Sequence, residues 1–201
     1  MHDADLGEEP PGATPLEDEE LEGLKPAWIA TRGDLNEAEF DNILAAQQAW
    51  DRRRLNMARL LDDKTIRDLH RDMFGEVWDW AGTYRRTEKN IGIDPIRISV
   101  AVHDLVEDAK YWFDTDDPLA FDNAAVKFHH KLVSVHPFPN GNGRHAREMT
   151  DLLLRAVSRP PFTWGGGANL GSDNAVRNTY IRALREADFG DYATLNEFVR
   201  S

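Results

Sequence analysis

The amino-acid sequence predicts an all-α domain that carries one small β-hairpin. From about residue 34 onward, apolar residues recur at three- and four-residue spacing, which is the pattern of amphipathic helices packed on a shared core. Only residues 84–98 look extended. The 201 residues are enough for one such domain with a hydrophobic core and a short appendage.

The first three helices are predicted from capping residues that precede apolar stripes. Asp34 to Glu37 resembles a capping box with Asp in the Ser/Thr position, so a helix is expected from Asp34 to about Leu55. Asp63 caps a second helix and Ser99 a third. Their inward-facing residues are, in turn, Ile66, Leu69, Met73, Val77 and Trp80, and then Val102, Leu105, Val106, Ala109 and Trp112.

Between the second and third helices, residues 84–98 contain the features of a hairpin. Isoleucines are spread along Ile91 to Ile98, and they are interrupted by Gly92 and by the pair Asp94-Pro95. We therefore predict a small hairpin that turns at residues 93–96.

Four more helices follow along the chain. Asp117-Pro118 begins the fourth, because proline suits the first helical position. A fifth runs from about Arg144 to Val157, and Ser172 opens a sixth that ends before Gly190. A short seventh carries Leu195, Phe198 and Val199.

The acidic charge lies mostly at one end of the chain. The formal net charge is −12, and residues 1–24 hold nine acids and no Lys or Arg, which leaves the remainder near −3. We expect residues 1–33 to form a solvated, partly disordered acidic arm and lead-in, followed by one domain over residues 34–201. A domain so near neutrality lacks the basic face of a nucleic-acid binder, so no nucleic-acid partner is expected.

Composition also bears on location and on some kinds of site. No apolar run approaches the roughly 18 residues of a membrane span, and residues 1–5 lack the basic start of a secretion signal. There are no cysteines, so disulfides and thiolate metal sites are excluded. We expect a cytoplasmic protein with no membrane partner.

Residues 136–147, His-Pro-Phe-Pro-Asn-Gly-Asn-Gly-Arg-His-Ala-Arg, combine the features of a phosphate site. Gly141 and Gly143 allow the backbone to turn successive amide N–H groups to one side, just before a helix N-terminus that adds free donors and a partial positive charge. Arg144 and Arg147 share a helix face, and a cation in the first turn is unfavourable unless an anion is bound. The pattern therefore predicts an anion cradle.

His136 stands directly beside this cradle, at the end of the fourth helix. Its ordinary pKa of about 6.5 leaves it neutral and able to accept a proton near pH 7, so it is a candidate general base for an incoming hydroxyl. Two simpler interpretations remain open. A repeated Asn-Gly is also a good turn, and a histidine at a helix end often only caps it.

The segment resembles the signature of the Fic/DOC (Fido) domain family, His-x-Phe-x-(Asp or Glu)-Gly-Asn-Gly-Arg-x-x-Arg. The matching positions are His136, Phe138, Gly141, Asn142, Gly143, Arg144 and Arg147. Phe74 to Arg85 resembles the segment before the family's flap, and Tyr180 to Ala187 resembles its later helix. The lead-in Trp28 to Glu39 resembles a bacterial subgroup called mobile mystery protein B.

The resemblance implies a Fic-type helical bundle that transfers AMP from ATP, with Mg²⁺, to Ser, Thr or Tyr of a target protein. His136 would be the base, Gly141 to Gly143 with Asn142 would cradle the phosphates, and Arg144 and Arg147 would bind the β and γ groups. Phe138 would anchor the loop in the core. Residues 87–98 would form the flap, which holds the target backbone by strand addition, and its predicted contact residues are Thr87, Asn90, Ile91, Gly92, Ile93, Ile96 and Ile98.

Asn140 departs from the family signature, which has a metal-binding acid at this position. An amide oxygen can coordinate Mg²⁺ weakly, without the charge that the ion prefers. Three outcomes are open: weaker metal use, transfer of a different phosphate-containing group, or a silent nucleotide-binding interaction module.

The family's inhibitory Ser/Thr-x-x-x-Glu-Gly/Asn helix is absent in strict form. Glu22-Gly23 is the only Glu-Gly or Glu-Asn pair in the chain, and Asp18 stands four residues before Glu22. We expect inhibition by a separate antitoxin-like partner, with Glu22 as a diverged inhibitory residue in the alternative.

A metal-dependent phosphohydrolase is a weaker alternative. His103-Asp104 with His70 upstream is similar to a His-Asp hydrolase pattern, yet His103 lies in an ordinary amphipathic helix. His129 and His130 are adjacent and cannot share a helix face, so they make a weak metal site at best.

Overall fold

The computed structural model describes residues 14–166 and 175–201, and this part of the chain is built from helices. The prediction of an all-α fold is confirmed. The helices are α1 (Asp18–Leu21), α2 (Arg32–Asp51), α3 (Met57–Leu60), α4 (Asp63–Phe74), α5 (Ile98–Trp112), α6 (Pro118–Val135), α7 (Asn142–Ala156), α8 (Ala175–Asp188) and α9 (Ala193–Val199), with a 3-10 turn at Pro95–Arg97 before α5. None of the described helices is both long and apolar enough to cross a membrane.

Helices α6 and α7 form the centre of the bundle. They pack on each other, α5 packs on α6, and α4 joins α7 to α2. Leu152, Leu153 and Leu154 of α7 are fully buried in succession, so α7 is enclosed on more than one side. The short loop between α6 and α7, residues 136–141, therefore sits at one end of the core.

The observed helix starts agree with capping chemistry, with small shifts from the expected positions. Asp117 caps α6 by accepting from the Leu119 N–H at 3.0 Å, and Pro118 is the first helical residue, as the sequence predicts. Thr31, rather than Asp34, caps α2, because Asp34 is the third helical residue and its carboxylate returns to the Thr31 N–H. Asp62 caps α4.

Other boundaries were wrong in length. Helix α4 ends at Phe74, so the apolar stripe that continues to Val77 and Trp80 belongs to turns rather than to the helix. Ser99 lies inside α5 because the 3-10 turn leads directly into that helix. The start predicted at Ser172 falls outside the described residues.

The hairpin prediction for residues 84–98 is wrong. The backbone here pairs with the end of α6 instead of with itself: the Arg85 N–H donates to the Pro137 carbonyl at 2.9 Å, and the Ile93 N–H to the Val135 carbonyl at 3.4 Å. Asp94 caps the 3-10 turn by accepting from the Ile96 N–H at 2.9 Å. The segment is a flap of bends and turns, because tertiary partners take the backbone bonds that a hairpin would use.

The expectation of a solvated arm is wrong for residues 14–33. Leu24 and Ile29 belong to the hydrophobic core. The Lys25 N–H donates to the Val77 carbonyl and the Asp79 N–H to the Gly23 carbonyl, both at 2.9 Å, which ties the lead-in to the turn after α4. Of the acids at positions 17–22, Glu20 is buried and the others are exposed.

Candidate active site

His136 ends α6 in a left-handed conformation, with φ 53° and ψ 61°. Few non-glycine residues adopt this conformation, and it is held only where the surroundings determine it. The His136 N–H donates to the Leu132 carbonyl at 3.3 Å, and its own carbonyl accepts from Nε of the buried Arg85 at 2.7 Å. The backbone is thus fixed on both sides of the side chain, which orients the imidazole.

The His136 ring is buried and neutral at physiological pH. Burial lowers the pKa of His136 to about 4, the backbone of Val133 opposes part of that shift, and the positive charges of Arg85 and Lys89 reinforce it. A neutral imidazole can accept a proton at Nε2, which is the requirement for a general base.

The loop after His136 is braced by buried side chains. Phe138 is fully buried and stacks on the ring of His70 at 3.7 Å between centroids. Asn142 makes two bonds to the same residue: its Oδ1 accepts from the Phe138 N–H at 2.9 Å and its Nδ2 donates to the Phe138 carbonyl at 2.8 Å. The side chain of Asn142 therefore shapes the loop, and only its backbone N–H is left to face a ligand.

His70 fixes the other side of the loop. Its Nδ1 accepts from the Gly82 N–H at 3.0 Å, so its Nε2 carries the proton and donates to the Asn140 carbonyl at 3.0 Å. Burial and the neighbouring His145 hold the pKa of His70 well below its ordinary value, so the ring stays neutral near pH 7.

The two glycines of the cradle have different tasks. Gly141 caps α7 with φ 78°, and a Cβ here would lie 2.5 Å from the Phe74 ring, so both the backbone and the packing require glycine. Gly143 is helical, contrary to the expectation of a second turned glycine, and the nearest atom to a Cβ would be Arg147 at 3.6 Å. Gly143 instead leaves the first turn of α7 open to the cavity.

Arg144 and Arg147 both face that cavity but have different neighbours. Arg144 forms an ion pair of 2.5 Å with the buried carboxylate of Glu39, which also accepts from Trp78 Nε1 at 2.7 Å. The Arg147 guanidinium lies over the Tyr180 ring, 5.6 Å from its centre. Glu39 thus supplies the negative charge that Arg144 needs in the first turn of a helix.

Asn140 does not provide a good magnesium site. Its Oδ1 accepts from the Gly141 N–H at 2.6 Å and lies 3.4 Å from the Arg144 guanidinium, which repels a cation. Within residues 14–166 and 175–201, no group of three or more His, Cys, Asp or Glu side chains is arranged to hold a metal. A single neutral oxygen beside a cation does not fit Mg²⁺, which prefers anionic oxygens.

The flap, residues 87–98, is held close to His136 by Arg85. The guanidinium donates to the Thr87 carbonyl at 2.8 Å and also to the Ile93 carbonyl. A Cβ on Gly92, which has φ 105°, would lie 2.7 Å from Cβ of His136, so glycine permits this close approach.

The predicted flap residues lie in different surroundings. Ile91 and Gly92 line the cavity. Asn90 and Ile96 are exposed, and Ile93 packs partly against the core. Ile98 is fully buried at the start of α5, where it serves packing.

Residues 14–24, which we call the docked segment, lie across the flap and His136. The Thr14 hydroxyl is 2.9 Å from Nε2 of His136, and the Thr14 carbonyl accepts from Nδ2 of Asn140 at 3.1 Å. Lys89 of the flap donates to the Pro15 carbonyl at 2.8 Å and pairs with Glu20. The docked segment therefore lies where the family resemblance predicts that a target protein would bind.

One cavity of about 540 Å³ joins these parts, a volume suited to a small-molecule ligand. Thr14 and His136 line one side and the first turn of α7 another, with Glu39 and α8 completing the wall. His136, the Thr14 hydroxyl and the first turn of α7 thus open onto the same space.

Glu22, His103 and Asp104 lie apart from this cavity. Glu22 is exposed at the end of α1, where its N–H donates to the Asp18 carbonyl at 3.1 Å. His103 and Asp104 are exposed on α5, whereas His70 is buried under the loop, so the hydrolase pattern is not assembled.

His129 and His130 are both buried and serve the core. His129 Nε2 bonds the Tyr180 hydroxyl at 2.8 Å, and burial lowers the pKa of His129 to about 3. His130 Nε2 lies 2.8 Å from a carboxylate oxygen of Asp188 and adjoins the cavity.

Sequence reasoning missed Thr14, Glu39 and Lys89 as site residues. Each comes from a segment far from residues 136–147 along the chain. Glu39 offered one signal, since it lies in the lead-in that resembles the bacterial subgroup. Thr14, a single threonine in an acidic segment, carried no sequence signal of a role in the site.

Comparison with known proteins finds a match to a family model in the middle of the chain. The sequence model of the Fic/DOC family matches residues 60–154, which include α4 to α6, the loop from His136 and most of α7.

Curated relatives match over a longer stretch. The chain is 29% identical to "Protein adenylyltransferase Fic" of Drosophila grimshawi over 141 residues, or 68% of this chain and 27% of that protein. It is 31% identical to "Protein adenylyltransferase fic-1" of Caenorhabditis elegans over 147 residues, or 70% of this chain and 26% of that protein. The chain therefore matches only about a quarter of the length of these relatives.

Solved structures share the fold. Fic-1 (residues 134–508) of Caenorhabditis elegans superposes with a TM-score of 0.58 at 25% identity, covering 79% of this chain and 45% of that one. BepC of Bartonella tribocorum, solved with bound AMPPNP, gives a TM-score of 0.69 at 16% identity and covers 100% and 97% of the two chains.

Proposed function

We propose, because residues 60–154 match the Fic/DOC family model, that the chain transfers AMP from ATP to a Ser, Thr or Tyr hydroxyl of a protein. One observation carries the proposal: Nε2 of His136 holds a threonine hydroxyl at 2.9 Å, in the cavity that also receives the first turn of α7. A base, an acceptor group and an anion cradle stand in one place.

The chemistry follows from the positions of these groups. His136, kept neutral by burial, takes the proton of the attacking hydroxyl. The hydroxyl oxygen bonds to the α-phosphorus of ATP as the bond to the bridging oxygen of the β-phosphate breaks. The free N–H groups at the start of α7, with Arg144 and Arg147, face the phosphates and stabilise the pyrophosphate that leaves.

ATP is the proposed nucleotide, and the AMPPNP bound in BepC supports a nucleoside triphosphate in this fold. Mg²⁺ was expected from the family resemblance, but the residues around Asn140 do not fit it. We therefore assign no step of the reaction to a metal held by the protein.

The test is a transfer assay with a matched variant. The protein is incubated with α-labelled ATP, Mg²⁺ and a cell extract, alongside His136→Ala. Label on protein with the native chain alone supports AMP transfer. Tight ATP binding without transfer, equal in both proteins, would instead favour the nucleotide-binding module that Asn140 suggests. Transfer of a differently labelled phosphate group from another donor would favour a different Fic chemistry.

Three finer assignments belong to the same proposal. The lead-in Trp28 to Glu39 supports membership of the mobile mystery protein B subgroup, and with it a bacterial, cytoplasmic enzyme of the toxin-antitoxin kind. A separate antitoxin-like partner stays a prediction. A partner that co-purifies with the native chain and lowers its transfer rate would support it, and full activity in the presence of every co-purifying protein would contradict it.

A further inference from the structure

Thr14 occupies the position that an acceptor hydroxyl must take in the proposed reaction. Its Oγ lies 2.9 Å from Nε2 of His136 and the residue is buried, with 6% of its surface exposed. The geometry points to Thr14 as the chain's own acceptor, which receives AMP on Oγ within the same molecule. This inference rests on the proposed function.

Two donors hold the backbone at Thr14 and at the residue after it. Asn140 Nδ2 donates to the Thr14 carbonyl at 3.1 Å, and Lys89 Nζ donates to the next carbonyl, that of Pro15, at 2.8 Å. Two donors on successive carbonyls fix the register of the docked segment. Thr14, rather than Pro15, is therefore presented to the base.

A buried ion pair anchors the segment further along. The Lys89 side chain is only 1% exposed, and it pairs with the buried carboxylate of Glu20. Glu20 also accepts from the Thr87 hydroxyl at 2.8 Å, and its carbonyl accepts from Trp80 Nε1 at 2.9 Å. Buried charges are tolerated only when they are paired and hydrogen-bonded, so this docking is specific to these side chains.

Asn140 fits this role better than it fits a metal. Its Nδ2 is the donor to the Thr14 carbonyl, while its Oδ1 accepts from the Gly141 N–H. An aspartate would face that carbonyl with a second acceptor, and the two oxygens would repel each other. The departure from the family signature thus suits binding of the docked segment in front of His136.

The phosphate side of the reaction faces the same hydroxyl. Thr14, His136 and the first turn of α7 line one cavity, with Arg144 and Arg147 beyond. The bond that forms joins Thr14 Oγ to the α-phosphorus, the bond that breaks joins this phosphorus to the α–β bridging oxygen, and pyrophosphate leaves. The hydroxyl proton passes to His136 Nε2 and then to solvent.

Attachment in the same chain makes this acceptor efficient and self-limiting. A tethered, oriented hydroxyl reacts without a bimolecular encounter. After transfer, Oγ is esterified and has no proton to give, so each chain accepts one adenylyl group on Thr14.

The experiment uses the full chain with α-labelled ATP and Mg²⁺ and no other protein. Peptide mass spectrometry is expected to find one adenylyl group per chain, on Thr14, in the native protein and none in His136→Ala. The first-order rate constant should not change when the protein is diluted, because donor site and acceptor belong to one molecule. Thr14→Val should lose the label and Thr14→Ser should retain it.

Thr115→Val is the matched control, since Thr115 caps the turn before α6, outside this cavity, and this variant should be labelled like the native chain. Label at another residue, label retained in Thr14→Val, or a rate constant that rises with protein concentration would overturn the inference. An added cell extract separates the two claims. Labelled extract proteins without label on Thr14 would leave the proposed function standing and refute this inference, whereas no label anywhere would refute both.

Discussion

Replacing Asn140 with aspartate separates two roles for this position, binding of the docked segment and binding of a metal. The change keeps the oxygen that accepts from the Gly141 N–H at 2.6 Å, but it removes the donor to the Thr14 carbonyl at 3.1 Å. The Thr14 carbonyl oxygen then faces a carboxylate oxygen, and neither of them can donate a hydrogen bond.

The size of the effect follows from the lost contact. Leaving a buried carbonyl without its donor costs about 1–3 kcal/mol. Docking of residues 14–24 should therefore weaken roughly 5- to 150-fold. The same substitution adds an anionic oxygen, which Mg²⁺ prefers, so transfer to added proteins should rise and become dependent on Mg²⁺.

Asn140→Ala is the matched variant, because it loses the same donor and adds no charge. Hydrogen exchange of residues 14–24 should speed up in both variants, and a Mg²⁺ titration of transfer to extract proteins should show a gain only in Asn140→Asp. Unchanged exchange in both would refute the account of the docked segment. Equal activity gains in both would refute the account of the metal.

Three further perturbations test the rest of the site. Glu39→Gln removes the carboxylate that is paired with Arg144 at 2.5 Å. The ATP affinity measured by calorimetry should therefore rise about 5-fold, equivalent to about 1 kcal/mol for a partly exposed pair, and an unchanged affinity would contradict this. The pKa of His136 is lowered to about 4, so the neutral form of the ring persists as the pH falls. The rate of Thr14 labelling should therefore stay level from pH 8 to pH 6 and decline only toward pH 4. A decline centred near pH 6.5 would show that His136 titrates as an ordinary histidine. Gly141→Ala combines φ 78° with a Cβ 2.5 Å from a buried ring, so the Tm should fall on the order of 10 °C. Gly143→Ala, whose Cβ would lie 3.6 Å from the nearest atom, should keep the Tm and lose ATP affinity. Equal losses of Tm in the two variants would refute the distinction.

Several elements could be predicted from local sequence because their causes are local. Asp117-Pro118 begins α6 through a bond two residues away and a proline that needs no partner for its nitrogen. The cradle also follows from neighbours, since Gly141 and the start of α7 adjoin each other. The tasks within the cradle did not follow. Asn142 was assigned to phosphate, yet its side chain is used by the backbone of Phe138.

The flap shows why local pattern can mislead. Isoleucines, Gly92 and Asp94-Pro95 are typical of a hairpin, but a hairpin forms only if the backbone groups lack better partners. Here Arg85 and the end of α6 take those groups. Arg85 is close by in the chain, but Val135 and Pro137 lie more than forty residues away from the groups that they bind, beyond the reach of any periodicity.

By itself the amino-acid sequence determined the all-α fold and predicted a phosphate cradle with a histidine beside it, because helix periodicity, capping and glycine turns depend on residues within a few positions of each other. Only the tertiary structure decided which distant residues contact His136 and the arginines of α7. It brought Glu39 to Arg144 across 105 residues and Thr14 to His136 across 122. Such contacts depend on how whole helices pack, so only the packing places a hydroxyl of the same chain beside the predicted base.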